Sequence, residues 1–179
     1  MIEVKHLTKK FKDFVAVDDL NFSIEKGELF SLLGLNGAGK TTTIKMLSCL
    51  ILPTSGNARI LNRDLIKDSQ YIKQRINVSP QETAIARNLT VQENLEMIAG
   101  IYGIPKNVIS DKVEEMITMF NLSEVRRKKG RLLSGGMQRR LSVAMALITD
   151  PEILFLDEPT LGLDVIARRE LWSNIRKLK

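Results

Sequence analysis

Gly34-Leu35-Asn36-Gly37-Ala38-Gly39-Lys40-Thr41 carries the spacing GxxxxGK[ST]. Residues of these types suit a polyphosphate. Glycine reaches positive φ, so successive backbone N–H groups can turn inward on a small anion. The open N–H groups of a following helix add to that attraction. Lys40 offers an ammonium to the β- and γ-phosphates, and the Thr41 hydroxyl offers a hard oxygen to Mg²⁺. Gly34, Asn36, Gly37, Ala38, Gly39, Lys40, Thr41 and Thr42 are the candidate phosphate-binding residues.

Two other stretches supply what this cradle lacks. "ILFLDEP" is an apolar run that ends in Asp157 and Glu158. Carboxylates at the C-terminal end of a buried strand stand where open α/β sheets bind ligands. Asp157 suits Mg²⁺, directly or through water, and Glu158 suits the polarisation of an attacking water as general base. Gln81 follows "INVSP", and its amide suits the metal or the water; the alternative is an ordinary exposed loop glutamine. "LLSGGMQRR" places Ser134, Gly135 and Gly136 at a helix start. Its hydroxyl and free N–H groups form an anion site without lysine or metal ligand, which suits half of a site completed by another chain. Its plain alternative is a serine N-cap followed by a glycine turn.

The elements that must position these groups alternate in type. "IEVKHL", "FVAVDD" and "LNFSIE" read as short strands, and Glu28–Gly34 as a buried strand leading into the phosphate loop. A helical pattern follows from Lys40 to Leu52, ended by "PTSG". "NARILN" is a further strand candidate, Tyr71–Arg75 a short amphipathic piece, and "INVSP" a strand aimed at Gln81. Thr90-Val91-Gln92-Glu93 is a capping box that opens a helix to Tyr102. A second helix spans Asn107 to Phe120. Leu141, Ala144, Met145 and Ile148 repeat at nearly 3.6 residues in a third. "DVIARRELWSNIRKLK" is a last helix without a C-terminal cap. The layout is an α/β nucleotide core, residues 1–82 and 150–179, carrying a helical insertion over residues 83–149.

Bulk properties narrow the class. The chain has 179 residues, 44% apolar and 27% charged, with a net charge of +6. That length suits one domain with a sizeable core. No apolar run approaches the roughly 18 residues of a membrane span, and the N-terminus lacks a signal peptide's apolar centre. The single cysteine, Cys49, sits in an apolar run and suits packing in a reducing compartment. Arg126, Arg127, Lys128, Lys129 and Arg131 read as a solvated basic loop. His6, the single histidine, reads as a surface residue on a strand.

The order of the motifs resembles the ATP-binding cassette (ABC) ATPases along nearly the whole chain. Leu133-Ser134-Gly135-Gly136-Met137-Gln138 resembles their signature sequence, and the phosphate loop, Gln81, "ILFLDE" and "LGLD" follow the family's order. The resemblance implies a P-loop fold with a mixed sheet, an antiparallel β part and a helical part. It implies Lys40 and Thr41 on phosphate and Mg²⁺, Gln81 as the Q-loop, Asp157 as the Walker B aspartate and Glu158 as catalytic base. Ser134, Gly135 and Gly136 would clamp a partner's ATP in a head-to-tail dimer, and Asp164 would be the D-loop aspartate. Phe11 matches the aromatic residue that stacks on adenine, with Phe14 as its rival.

The implied function is an ATP-hydrolysing motor on the cytoplasmic face of a membrane, bound to a transmembrane permease subunit. The wording of "PTLGLD" resembles the drug- and polysaccharide-export branch. No nucleic-acid partner is expected, although a cassette acting on ribosomes or nucleic-acid machinery is the alternative. The family continues past its last helix here to a switch histidine. The expectation for a chain ending at Lys179 is therefore a partial cassette that binds ATP with little turnover.

Overall fold

The computed structural model describes residues 1–176. They form two compact units, Met1–Ile76 and a second beginning at Asn77.

The first unit is built on an antiparallel hairpin. Strands β1 (Ile2–Phe11) and β2 (Phe14–Ile24) pair from Ile2↔Ile24 to Phe11↔Phe14. β3 (Ser55–Ile60) lies on the other side of β1, and β4 (Arg63–Asp64) follows it, giving the order β2-β1-β3-β4. The stretches "FVAVDD" and "LNFSIE" are thus one strand. Register shifts in the β1–β2 ladder and left-handed φ at His6 and Asp19 absorb the irregularity that made them read as two. His6 is exposed and hydrogen-bonds Asp19 through Nδ1 at 2.7 Å. Ile2, Val4, Leu7, Val17, Ala58 and Ile60 are buried.

Helix α1 (Lys40–Leu47) buries Thr43, Ile44, Met46 and Leu47. It stops short of Leu52. Ser48 Oγ donates back to the Ile44 carbonyl at 2.7 Å, and Cys49 turns left-handed at φ 58°. Leu50 and Ile51 then both donate to the Lys45 carbonyl, so the helical ladder is closed off. Burial pushes the half-buried Cys49 thiol above its usual pKa, which suits an inert packing residue. Helix α2 (Ser69–Lys73) ends this unit.

Glu28–Gly34 does not form the expected strand. It runs without a ladder, and Leu29, Phe30 and Leu33 are exposed. An apolar run behaves as a parallel-sheet strand only when neighbours flank it on both sides. The sheet of this unit is antiparallel with β2 and β4 at its edges, and the segment pairs with neither. Its one ring contact is Phe30 stacked on Phe22 with centroids 5.0 Å apart.

The second unit holds a two-stranded sheet of β5 (Ile76–Ser79) and β6 (Ile153–Leu156) and four helices. These are α3 (Val91–Ile101), α4 (Lys106–Met119), α5 (Gly135–Leu147) and α6 (Val165–Arg176). The end of α6 lies outside the described residues. Leu95, Ile117, Phe120, Leu141, Ile148 and Leu171 centre one apolar cluster drawn from all four helices. The capping box at Thr90 is complete: Glu93 N donates to Thr90 Oγ1, and Thr90 N to Glu93 Oε2. The basic segment is less free than it read. Arg126 bonds Gln92 and Glu114, while Arg127, Lys128, Lys129 and Arg131 stay exposed.

Asn94 is the buried polar group on which the loop before α3 closes. Its amide accepts from Ala86 N at 2.7 Å and donates to the carbonyls of Ala86, Leu89 and Thr90. Asn94→Ala orphans several of these groups and is expected to cost about 2–4 kcal/mol. Thr90→Ala loses one cap, about 1 kcal/mol. Urea unfolding orders the two; an Asn94→Ala loss no larger than that of Thr90→Ala contradicts this reading.

Candidate functional site

The phosphate loop belongs to the first unit, and its geometry follows from two glycines. Gly37 has φ 86° and Gly39 φ 82°, both in the left-handed region that a side chain resists. Around Gly37 the space is open, so conformation alone selects glycine. At Gly39 space selects it as well. A Cβ there would lie 2.2 Å from the Ala16 carbonyl oxygen and 2.9 Å from Val17 Cγ2 on β2. The loop is thus pressed against the hairpin, and Gly39 caps α1 at the point of contact.

Lys40 closes the loop from within. Its ammonium donates to the carbonyls of Gly34 at 2.8 Å and Leu35 at 3.0 Å, and Ala38 N donates to Leu35 O at 3.1 Å. The cation therefore stands at the loop with its charge unpaired by any carboxylate at ion-pair distance among the described residues. Asn36, Gly37 and Ala38 are exposed, and Thr41 and Thr42 are half-buried in the first turn of α1. Exposed loop backbone, a helix start and an ammonium make a strong anion site.

Phe11 ends β1 and faces Phe14 across the two-residue turn. Both rings are exposed, at 47% and 62%, so neither is a core residue. Lys9 Nζ lies 5.0 Å from the Phe11 ring centroid. A ring on a hairpin tip is free to stack on a flat heterocycle.

The carboxylates belong to the second unit. Asp157, just past β6, is 4% exposed, and its N–H donates to Ser79 O at 3.0 Å. Glu158 has φ 49°, a left-handed conformation that costs a non-glycine residue and that recurs at functional sites. Leu161 N donates to its carbonyl. Gln81 is exposed just past β5, and its carbonyl accepts from the Arg139 guanidinium. Arg139 is the residue the sequence reading missed. It is 5% exposed and also donates to Pro80 O at 2.7 Å. Burial lowers its pKa, and the charges of Asp157 and Glu158 oppose that shift. The signal lay in a second stripe on α5: Arg139, Ser142, Val143 and Ala146 are buried in addition to the apolar face that periodicity revealed.

Ser134 caps α5, its Oγ accepting from Met137 N at 3.3 Å. The plain role is therefore real, but it leaves the glycines unexplained. A Cβ on Gly135 would meet nothing within 4 Å, and its φ is not positive. Glycine at a helix start with no steric or torsional demand costs helix stability for nothing inside this chain. Gly136 has only Leu163 Cδ2 nearby, at 3.4 Å. Asp164 caps α6 through Ala167 N at 2.8 Å, so its carboxylate already has a structural task.

Thr41 in the first unit and Gln81 and Asp157 in the second each offer an oxygen, the donor type that Mg²⁺ takes, and no group of three His, Cys, Asp or Glu forms a metal cluster among the described residues. Mg²⁺ takes few protein ligands and fills its shell with water and phosphate oxygens.

Gly39→Ala tests the loop. It is expected to abolish binding of a fluorescent ATP analogue, whereas Gly135→Ala, with open space and ordinary φ, should leave that binding unchanged and the melting temperature equal or slightly higher. Equal effects of the two substitutions contradict the assignment.

Comparison with known proteins follows the same lines. A sequence profile described as "ABC transporter" matches residues 17–161. The chain is 43% identical over 178 residues to the probable multidrug ABC transporter ATP-binding protein YbhF of Escherichia coli (strain K12), covering 99% of this chain and 31% of that protein. It is 41% identical over 182 residues to the phospholipid-transporting ATPase ABCA3 of Homo sapiens, covering 99% of this chain and 11% of that protein. It is 37% identical over 177 residues to the daunorubicin/doxorubicin resistance ATP-binding protein DrrA of Streptomyces peucetius, covering 99% and 54%. It therefore spans about half of DrrA and less than a third of YbhF. Among solved structures, the ATP-binding cassette MJ0796, dimeric in a post-hydrolysis state with ADP and Pi, superposes with a TM-score of 0.88 at 28% identity, covering 99% of this chain and 82% of that one. Phosphate loop, signature helix and strand-end carboxylates stand in one order on one fold, and the chain belongs to the ABC transporter family.

Proposed function

We propose that this chain is an ATP-binding and ATP-hydrolysing motor of a membrane transporter, of the drug- or polysaccharide-export kind. The observation that carries the reading is the phosphate loop: Gly39 packed on Ala16, Lys40 held at the loop carbonyls and α1 opening behind them. Two of the similar proteins are a probable multidrug ABC transporter ATP-binding protein and a drug-resistance ATP-binding protein, which supports the export branch. No helix among the described residues is long and apolar enough to cross a membrane. A separate permease part, on whose cytoplasmic face the cassette rests, would supply the path for cargo.

The residues take the following parts. Gly34, Asn36, Gly37, Ala38 and Gly39 turn backbone N–H groups onto the β- and γ-phosphates. Lys40 exchanges its carbonyl contacts for phosphate oxygens as ATP enters, a charge-assisted bond replacing neutral ones. Phe11 stacks on adenine. Thr41, Gln81 and Asp157 would hold Mg²⁺, which supplies positive charge to the phosphate oxygens. Glu158 accepts the proton of the attacking water, and Gln81 orients that water. Ser134, Gly135 and Gly136 hold the γ-phosphate of a second copy's ATP, and Asp164 lies beside that junction on the same chain. Two ATP molecules thereby tie a head-to-tail dimer, and their loss releases it.

Lys40→Ala is expected to weaken ATP binding roughly 10- to 100-fold, the worth of a charge-assisted contact. Glu158→Gln is expected to keep ATP affinity within a few-fold while lowering phosphate release below that of the unsubstituted chain. Fluorescent-analogue titration and a phosphate-release assay check both. Unchanged affinity in Lys40→Ala, or unchanged release in Glu158→Gln, contradicts the reading.

A further inference from the structure

Arg139 is a buried cation that neither the fold nor the assigned ATP contacts require. Burial of a guanidinium is costly unless its donors are met. Here one face of the fork donates to Pro80 O and Gln81 O, and Nε has no hydrogen-bond partner among the described residues. A core position would be served as well or better by an apolar side chain of the same length. The turn bearing Gln81 takes its N–H groups, and the charges of Asp157 and Glu158 favour its charged form. It stands on α5 between Met137, whose N–H is capped by Ser134, and Ser142, whose hydroxyl meets Ser79 Oγ on β5 at 3.2 Å. One rigid helix thus carries the glycine cradle at its start and grips the end of β5 along its side.

We propose that Arg139 is a positioning residue that fixes the Gln81 turn to helix α5, so that γ-phosphate bound at Ser134–Gly136 and the placement of Gln81 beside Asp157 and Glu158 are mechanically coupled. The argument is geometric. Pro80 and Gln81 carbonyls have no reason to point into protein unless a multidentate donor waits there, and guanidinium alone presents two parallel N–H vectors at that spacing. Because the fork is planar, rotation or sliding of α5 moves both carbonyls together. The cradle on α5 serves a partner's ATP in the proposed dimer, whereas Gln81 serves the chain's own. Arg139 therefore links the two ATP sites through a single side chain. This inference rests on the ATPase reading for its kinetic consequence, but not for its structural one.

The test uses Arg139→Met, which keeps length and removes the charge, and Arg139→Lys, which keeps the charge and loses the fork. Amide hydrogen exchange is followed at Asp157, whose N–H donates to Ser79 O immediately before the Pro80–Gln81 turn, in the nucleotide-free full chain. Exchange there is expected to rise about tenfold or more in Arg139→Met, as for loss of one charged hydrogen bond, with Arg139→Lys intermediate. ATP affinity should hold within about threefold, because Lys40 and the phosphate loop are untouched, while the rate at saturating ATP falls about tenfold and recovers partly in Arg139→Lys. Unchanged exchange at Asp157 overturns the proposal. So does loss of protection spread over the whole second unit with a fallen melting temperature, which marks a merely structural residue. The exchange result stands even if the unsubstituted chain fails to bind ATP, so the failure of the ATPase reading is told apart from the failure of this one.

Discussion

No atom can stand between the Cα of Gly39 and the carbonyl of Ala16. A single added carbon would come within 2.2 Å of that oxygen. Everything at the phosphate loop depends on this approach. It sets the start of α1 and holds the loop against β2. Left-handed φ at Gly37 and Gly39 is the torsional side of the same constraint. Lys40 completes it by tethering the loop's carbonyls until a stronger partner displaces them. The stiff element is the hairpin, and the loop borrows its stiffness.

The second unit solves a different problem. It must present carboxylates and a glutamine without letting them drift. β5 and β6 lie side by side, Ser79 O takes the N–H of Asp157, and Arg139 takes the carbonyls that follow β5. The strained backbone of Glu158 is held by the Leu161 N–H beyond it. α5 is buried around most of its circumference and is therefore the rigid body of this unit. At its start Gly135 is exposed and Gly136 half-buried, and nothing among the described residues requires Gly135 to be glycine. Rigid helix and open cradle together describe a part built to receive something from outside.

Motif chemistry was legible because it is local. The spacing of Gly34 to Thr41 encodes a loop before a helix, and the capping box at Thr90 and Glu93 encodes a helix start; both form as read. The Ser134 cap likewise follows from its position before α5. What failed was non-local. Glu28–Gly34 has the composition of a buried strand, but a strand exists only through its neighbours, and the antiparallel sheet supplies none. Arg139 and Asn94 were missed for the same kind of reason. A lone polar residue inside a helical stripe reads as a solvated face until the carbonyls that it satisfies are known. Those carbonyls lie 59 residues away for Arg139 and Pro80, beyond any periodicity window, and 8 away for Asn94 and Ala86, in a loop that has no period to read.

The central claim is that one ATP is held by the phosphate loop of one chain and the glycine cradle of another. Mixing two defective chains tests it directly, with Glu158→Gln in both so that ATP stays intact. Lys40→Ala spoils only the loop, and Ser134→Arg crowds only the cradle. The sandwich is symmetric, so a hybrid keeps one sound site made from the Ser134→Arg chain's loop and the Lys40→Ala chain's cradle. Light scattering with Mg²⁺ and ATP is the measurement. The account predicts monomers for each variant alone and a dimer for the mixture. A mixture that stays monomeric while the Glu158→Gln chain alone dimerises, or either double variant dimerising unaided, contradicts it.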